Sequence, residues 1–212
     1  MLHGFYQSWR YFAAIPRREL LDHFRFNRHV VIAADRSRVW RDLERTNTTA
    51  PGSGSRRPEL VGVHIRRGDY VRSSSNVAYG YTIADANYFR RAMRFFVDRY
   101  PRVDFVVCSD EIGWARRNVA LPEVPPGVAR QVRVAYCSGG GEDAENVDGA
   151  ATDLVVLSTC DHVIMSTGTF GWWAAWLAGG TTIYFGGWPR SNSTLSAQVD
   201  KTDFFPPHWI AM

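Results

Sequence analysis

The chain has no apolar run approaching the roughly 18 residues that a membrane-spanning helix needs. Its opening Met1-Leu-His-Gly-Phe5 lacks a basic head followed by an apolar stretch, so no signal peptide is expected there. No Asp-x-Asp pair occurs at any position. That excludes one common way of holding a divalent metal on a diphosphate. No G-x-x-x-x-G-K-[ST] string is present, which excludes a P-loop, and no G-x-G-x-x-G follows the first strand-like run, which excludes the dinucleotide fingerprint. Cysteine is scarce. Cys108, Cys137 and Cys160 are odd in number and show no metal spacing, so each is expected to be a plain buried thiol. The histidines show no paired ligand spacing, and no metal site is expected.

What is present is enough apolar material for a core, 45% of 212 residues, in one domain or one domain with an extension. The net charge of +4 suits an anionic small ligand. The arginines form no arm or tract with interleaved aromatics, which argues against nucleic acid.

Two regions differ in periodicity. Residues 1–58 read as a helical segment and linker. A helix opens at Pro16, with Ile15, Leu20, Leu21 and Phe24 on one face. A second helix is expected over residues 35–45, and the Thr, Pro, Gly and Ser cluster of residues 46–58 reads as a loop. Residues 59–212 alternate strand-like with helix-like runs. Strands are expected at 59–65, 103–108, 131–136, 162–165 and 181–185, and helices at 85–100, 111–118, 151–160 and 169–178. Asp85 is a plausible cap, with Phe89, Ala92, Met93 and Phe96 spaced for burial. This alternation argues for an α/β, Rossmann-like parallel sheet flanked by helices.

Polar groups gather after successive strands: Arg66, Arg67 and Asp69, then Ser109 and Asp110, then the Ser138 glycine loop, then Ser166 to Thr169. In a parallel sheet these loops share the edge where ligands bind. A bare arginine pair at a strand end is more often solvated than functional. Ser166 to Phe170, however, is a strand-to-helix turn whose free N–H groups and dipole favour a phosphate. The alternative there is an ordinary Ser/Thr cap. An arginine fork on the same edge gives weight to a diphosphate clamp.

His64-Ile-Arg-Arg-Gly-Asp69 resembles the first motif of the galactoside α1,2-fucosyltransferase family. Gly4-Phe-Tyr-Gln-Ser-Trp-Arg-Tyr-Phe12, Phe105-Val-Val-Cys-Ser-Asp110 and the stretch from Asp161 to Gly180 resemble further segments of that family, in the same order. The resemblance implies the donor-binding half of a GT-B-like enzyme. It implies inverting, metal-independent transfer of L-fucose from GDP-β-L-fucose to the 2-hydroxyl of a terminal galactose. Arg66 would bind the diphosphate and stabilise departing GDP, with Arg67 supporting the site and His64 under the nucleotide. Asp153, seventeen residues before Phe170, would accept hydrogen bonds from guanine. Asp110, Thr167, Thr169 and Phe170 would contact donor. Asp69 is a candidate base by position alone. A membrane anchor and much of the acceptor side would lie in a preceding segment of a longer Golgi protein. Asn47 and Asn192 are N-glycosylation sequons, weak support for a secretory route. The competing readings are a non-catalytic GDP-sugar or glycan-binding remnant and a different Rossmann-like enzyme with a phosphate-bearing ligand.

Overall fold

The computed structural model describes residues 8–45, 57–123, 131–137 and 149–212. The chain opens with a 3-10 turn at Trp9–Phe12, then α1 (Arg17–His23), α2 (Arg28–Asp35) and α3 (Arg38–Arg45). β1 (Glu59–Ile65) leads through α4 (Gly68–Arg72), α5 (Ser74–Tyr79) and α6 (Ala86–Arg99) to β2 (Arg102–Ser109). There follow α7 (Ile112–Asn118), β3 (Gln131–Tyr136), α8 (Gly149–Ser158), β4 (His162–Met165), α9 (Thr169–Ala178) and β5 (Thr182–Tyr184). α10 (Thr194–Gln198), α11 (Lys201–Phe204) and β6 (Ile210–Ala211) close the chain. Among the described residues no helix is long and apolar enough to cross a membrane.

The six strands pair in the order β3-β2-β1-β4-β5-β6, every pair parallel. This is the doubly wound arrangement, and its order reverses between β1 and β4. A parallel sheet has both faces covered, so its strands are apolar on both sides. β1 shows how the pleat assigns each side chain. Val61, Val63 and Ile65 face a core built by α6, whose Phe89, Ala92, Met93 and Phe96 are all fully buried as the spacing predicts. Gly62 and His64 face the other way. A Cβ on Gly62 would lie 3.0 Å from Leu157 of α8, so that helix packs directly on the strand. Asp85 caps α6, accepting from the Tyr88 N–H at 2.7 Å.

The opposite face is covered by α8 and by the leading helices. Ala34, Val39 and Leu43 belong to the same buried cluster as Val106, Ala135 and Leu157. A third cluster, around Trp172, Trp188 and Trp209, fills the β4–β5 side.

Several expectations need correction. Residues 28–35 form a helix that the periodicity does not announce, and the segment read as one helix over 35–45 breaks at Arg36-Ser37. The Ser37 hydroxyl accepts from the Val39 N–H at 3.4 Å and starts the new helix. On α1 only Leu20 is buried, while Ile15 and Phe24 are exposed. Cys108 and Cys137 are not free thiols. They sit side by side at the ends of the paired strands β2 and β3, with Cα atoms 4.9 Å apart, and form a disulfide. Cys160 is a buried thiol, as expected.

Candidate active site

The register of β1 against β4 pairs His64 with Met165, so the loops after the two strands leave the sheet together. They are tied at once. The Arg66 backbone N–H donates to Ser166 Oγ at 2.8 Å, and the Ser166 N–H donates to the His64 carbonyl at 3.0 Å. Ser166 therefore holds the loop, a different use from the ligand donor its position suggests. From β2 comes a second tie, in which Asp110 accepts from the Arg67 N–H at 3.0 Å. Gly68 makes room for it, since a Cβ there would stand 2.5 Å from Asp110 Oδ2.

At this switch point lies a cavity of about 380 Å³, a size ordinary for a small-molecule site. It receives His64, Arg66 and Tyr70 from the β1 loop, Ser109 and Asp110 from β2, Asp153 from α8, and Thr167, Thr169 and Phe170 from the entry to α9. Seven of the expected site residues thus meet in one space. Arg67 and Asp69 do not line it. The Arg67 guanidinium lies 3.7 Å over the Trp114 ring and pairs with Glu111, which turns it aside. Asp69 sits half-exposed at the mouth and accepts from Arg66 Nη2 at 2.6 Å. Asn192 occupies an exposed turn at φ 58°. Asn47 lies outside the described residues.

The electrostatics divide the cavity. Arg66 is its cation, held by Asp69 on one side and by Asp110 at 3.1 Å on the other. Beside it is the N-terminus of α9, which no side chain caps and whose first turn contains no acid. Its N–H groups and dipole remain available to an anion. Thr167 Oγ1 is buried there without a hydrogen-bond partner. A buried orphan hydroxyl is costly unless something supplies the missing bond. His64 is buried too, its Nδ1 unpaired and its ring 5.2 Å from Phe170. Burial, aided by Arg66, lowers its pKa to about 3, so the imidazole is neutral. Gly171 lets α9 come this close, because a Cβ at that position would stand 2.4 Å from His64 Nδ1.

Away from Arg66, burial raises the Asp153 carboxyl to about 7. Its oxygen lies within 4.8 Å of the Cys108 and Cys137 sulfurs. With both sulfurs in the disulfide, this cluster offers no thiolates to a metal ion. Tyr70 directly follows the Arg-Arg-Gly-Asp string and also lines the cavity, a placement that no spacing in the sequence marks. Burial, followed by Tyr81, pushes its phenol up to about 12, so it stays a neutral hydroxyl.

A family model described as glycosyl transferase family 11 matches residues 2–212. The whole chain aligns at 35% identity with galactoside alpha-(1,2)-fucosyltransferase 2 of Bos taurus, over 54% of that relative. It aligns at 35% with the Sus scrofa protein of the same name, over 55% of its length. Galactoside 2-alpha-L-fucosyltransferase SEC1 of Bos taurus is 32% identical, over 51% of its length. The chain spans about half the length of the curated relatives it matches. A cavity at the sheet's switch point, the His64–Asp69 string that builds one wall, and a match running from end to end agree: the chain belongs to glycosyl transferase family 11.

Proposed function

We propose that this chain carries the donor site of an enzyme that transfers L-fucose from GDP-β-L-fucose to the 2-hydroxyl of a terminal galactose, with inversion. The observation that carries the reading is one cavity holding an arginine, an uncapped helix N-terminus and the unpaired Thr167 hydroxyl. These are complementary to a diphosphate. The relatives' names supply the sugar and the linkage.

In this account the diphosphate lies between Arg66 and the first N–H groups of α9, with Thr167 and Thr169 adding hydroxyl donors. Guanine lies toward Asp153, whose carboxylate accepts from its two adjacent N–H groups. His64 and Phe170 give the apolar wall. As the bond from fucose C1 to GDP breaks, negative charge collects on the leaving diphosphate. Preorganised donors aimed at that charge are the main catalytic contribution. Arg66 already faces two carboxylates, so the diphosphate replaces one of them. Asp69, the more exposed, is the one released, and it becomes a candidate base for the acceptor hydroxyl. Arg67 acts indirectly, bracing the loop from Trp114. The cation and helix terminus neutralise the leaving group without a metal ion. The enzyme would act in the Golgi, as the family resemblance implies.

The test is incubation with GDP-fucose and a galactose-terminated acceptor in EDTA, following GDP release and the linkage of the product. Release with a new α1,2 linkage supports the reading. GDP binding without turnover supports a donor-binding remnant, and no GDP binding overturns both.

A further inference from the structure

The disulfide between Cys108 and Cys137 stands in the wall of the candidate site. Cys108 is the last residue but one of β2 and lines the cavity beside Ser109 and Asp110. Cys137 is the first residue past β3. Asp153 reaches toward the pair from α8, with a carboxylate oxygen within 4.8 Å of both sulfurs. Burial is what acts on that carboxyl, and no hydrogen bond from a described residue reaches it. A redox-active bond and the carboxylate assigned to guanine thus share one corner of the cavity.

The backbone around the pair is fixed by the ladder. β2 and β3 stay in register from Arg102 with Gln131 to Val107 with Tyr136, and the Cys137 N–H donates to the Val107 carbonyl at 2.8 Å. Those bonds set the strand spacing whatever the state of the sulfurs. Both cysteines are buried, in one apolar cluster with Val39, Val106 and Val155. Two separate thiols need more room than two bonded sulfurs. With the strands held and the apolar side filled, the added volume goes toward the cavity, where Asp153 stands. The hydrogen-bonding character changes as well. A disulfide sulfur donates nothing, whereas each thiol carries a weak S–H donor. In the oxidised chain the Asp153 carboxylate is open to a ligand's donors, and in the reduced chain it has two S–H groups for neighbours.

We propose that the Cys108–Cys137 pair is a thiol–disulfide exchange site built into the cavity wall, and that its reduction weakens nucleotide binding at the Asp153 end. The reductant is a dithiol, which enters by the route the nucleotide takes. It supplies two electrons and two protons: the bond between the two Sγ atoms breaks, each cysteine gains an S–H, and the dithiol leaves as its own disulfide. This rests on the proposed function, which sets guanine against Asp153, and adds a control on that end of the site alone. The coupling runs both ways. Bound GDP favours the disulfide by the same factor by which the disulfide favours GDP.

The test titrates GDP and, separately, inorganic pyrophosphate by calorimetry in EDTA, on the oxidised chain and on the chain reduced with dithiothreitol, the reagent then being removed under argon. Alkylation in denaturant and mass spectrometry read the state: Cys160 alone is labelled when the bond is present, and all three cysteines when it is broken. The expected result is GDP binding weakened roughly threefold to tenfold by reduction and restored by reoxidation. Pyrophosphate, which engages Arg66 and α9 without reaching Asp153, keeps its affinity. The double variant Cys108→Ala, Cys137→Ala gives one GDP affinity with and without the same treatment. Equal GDP affinity in the two states, a parallel loss of pyrophosphate, or a bond that dithiothreitol leaves intact in the folded chain overturns the proposal and leaves the donor reading standing. If the oxidised chain fails to bind GDP, the donor reading falls and the exchange site falls with it.

Discussion

The two ends of the sheet carry similar residues and use them in opposite ways. At the amino end, Arg57 grips Asp161 with two hydrogen bonds of 2.7 Å, and Asp161 also accepts from the Leu60 N–H at 2.9 Å. His162 packs against the rings of both Phe96 and Tyr100, 5.2 and 5.3 Å away. Helix α9 ends there too, with Arg17 donating to the Trp176 carbonyl at 2.8 Å and to that of Leu177. There the arginines are taken up by a carboxylate and by helix carbonyls. At the carboxyl end, the arginine fork is Arg66, the histidine is His64 and the terminus of α9 is uncapped, all facing a cavity. Residue type therefore does not mark function here. What marks it is polar capacity left open beside an empty space, at the strand ends where the sheet order reverses.

The comparison breaks most severely if the scaffold fails while the site survives. Phe96→Ala removes a fully buried ring on the far side of the sheet and should cost about 3–5 kcal/mol in denaturant unfolding. The folded fraction should still bind GDP normally. Next comes Asp153. Its folded pKa of about 7 lies above the ordinary carboxylate value, so the protein is more stable with it protonated, and the burial penalty grows as pH rises through that range. In the proposed arrangement guanine is held by the carboxylate, so GDP affinity should fall as pH drops below about 7. Asp153→Asn should bind roughly 10–100-fold more weakly above that pH and lose this titration.

A smaller change sharpens the contrast between helix ends. Gly171→Ala pushes the His64 ring out of place and should weaken GDP binding roughly tenfold, about 1.4 kcal/mol, with the helical circular dichroism intact. The smallest effect belongs to the closed end. Arg57→Ala breaks a surface pair and should cost about 0.5 kcal/mol, leaving GDP affinity unchanged. The Arg57 hydrogen bond holds the Asp161 carboxyl below its ordinary value. That contribution should persist at neutral pH and vanish only as acid titrates the folded carboxylate.

How much of this could be read from the residues depends on distance along the chain. The apolar β1 run, the helical face of α6 and the strand-to-helix turn at Ser166 are local patterns, and each appears where its spacing places it. Arg66 and Asp110 fall together because parallel strands deliver their ends to one edge, whereas Asp153, on α8, is marked by the family resemblance alone. What escaped was set by packing between distant segments. The Cys108–Cys137 bond follows from the β2–β3 register, which no spacing announces. Arg67 is turned away by Trp114, a residue of another helix. α4 and α5 are short and without an apolar stripe, so they leave no periodic signal.

The central claim is that the open end of the sheet is a metal-independent site for a nucleoside diphosphate, with Arg66 as its cation. Calorimetric titration with GDP in EDTA, on wild type and Arg66→Ala, tests it directly. The account predicts binding by wild type, a loss of roughly 10–100-fold in the variant, and coincident thermal transitions. Absence of binding by wild type, or equal binding by both proteins, would contradict it.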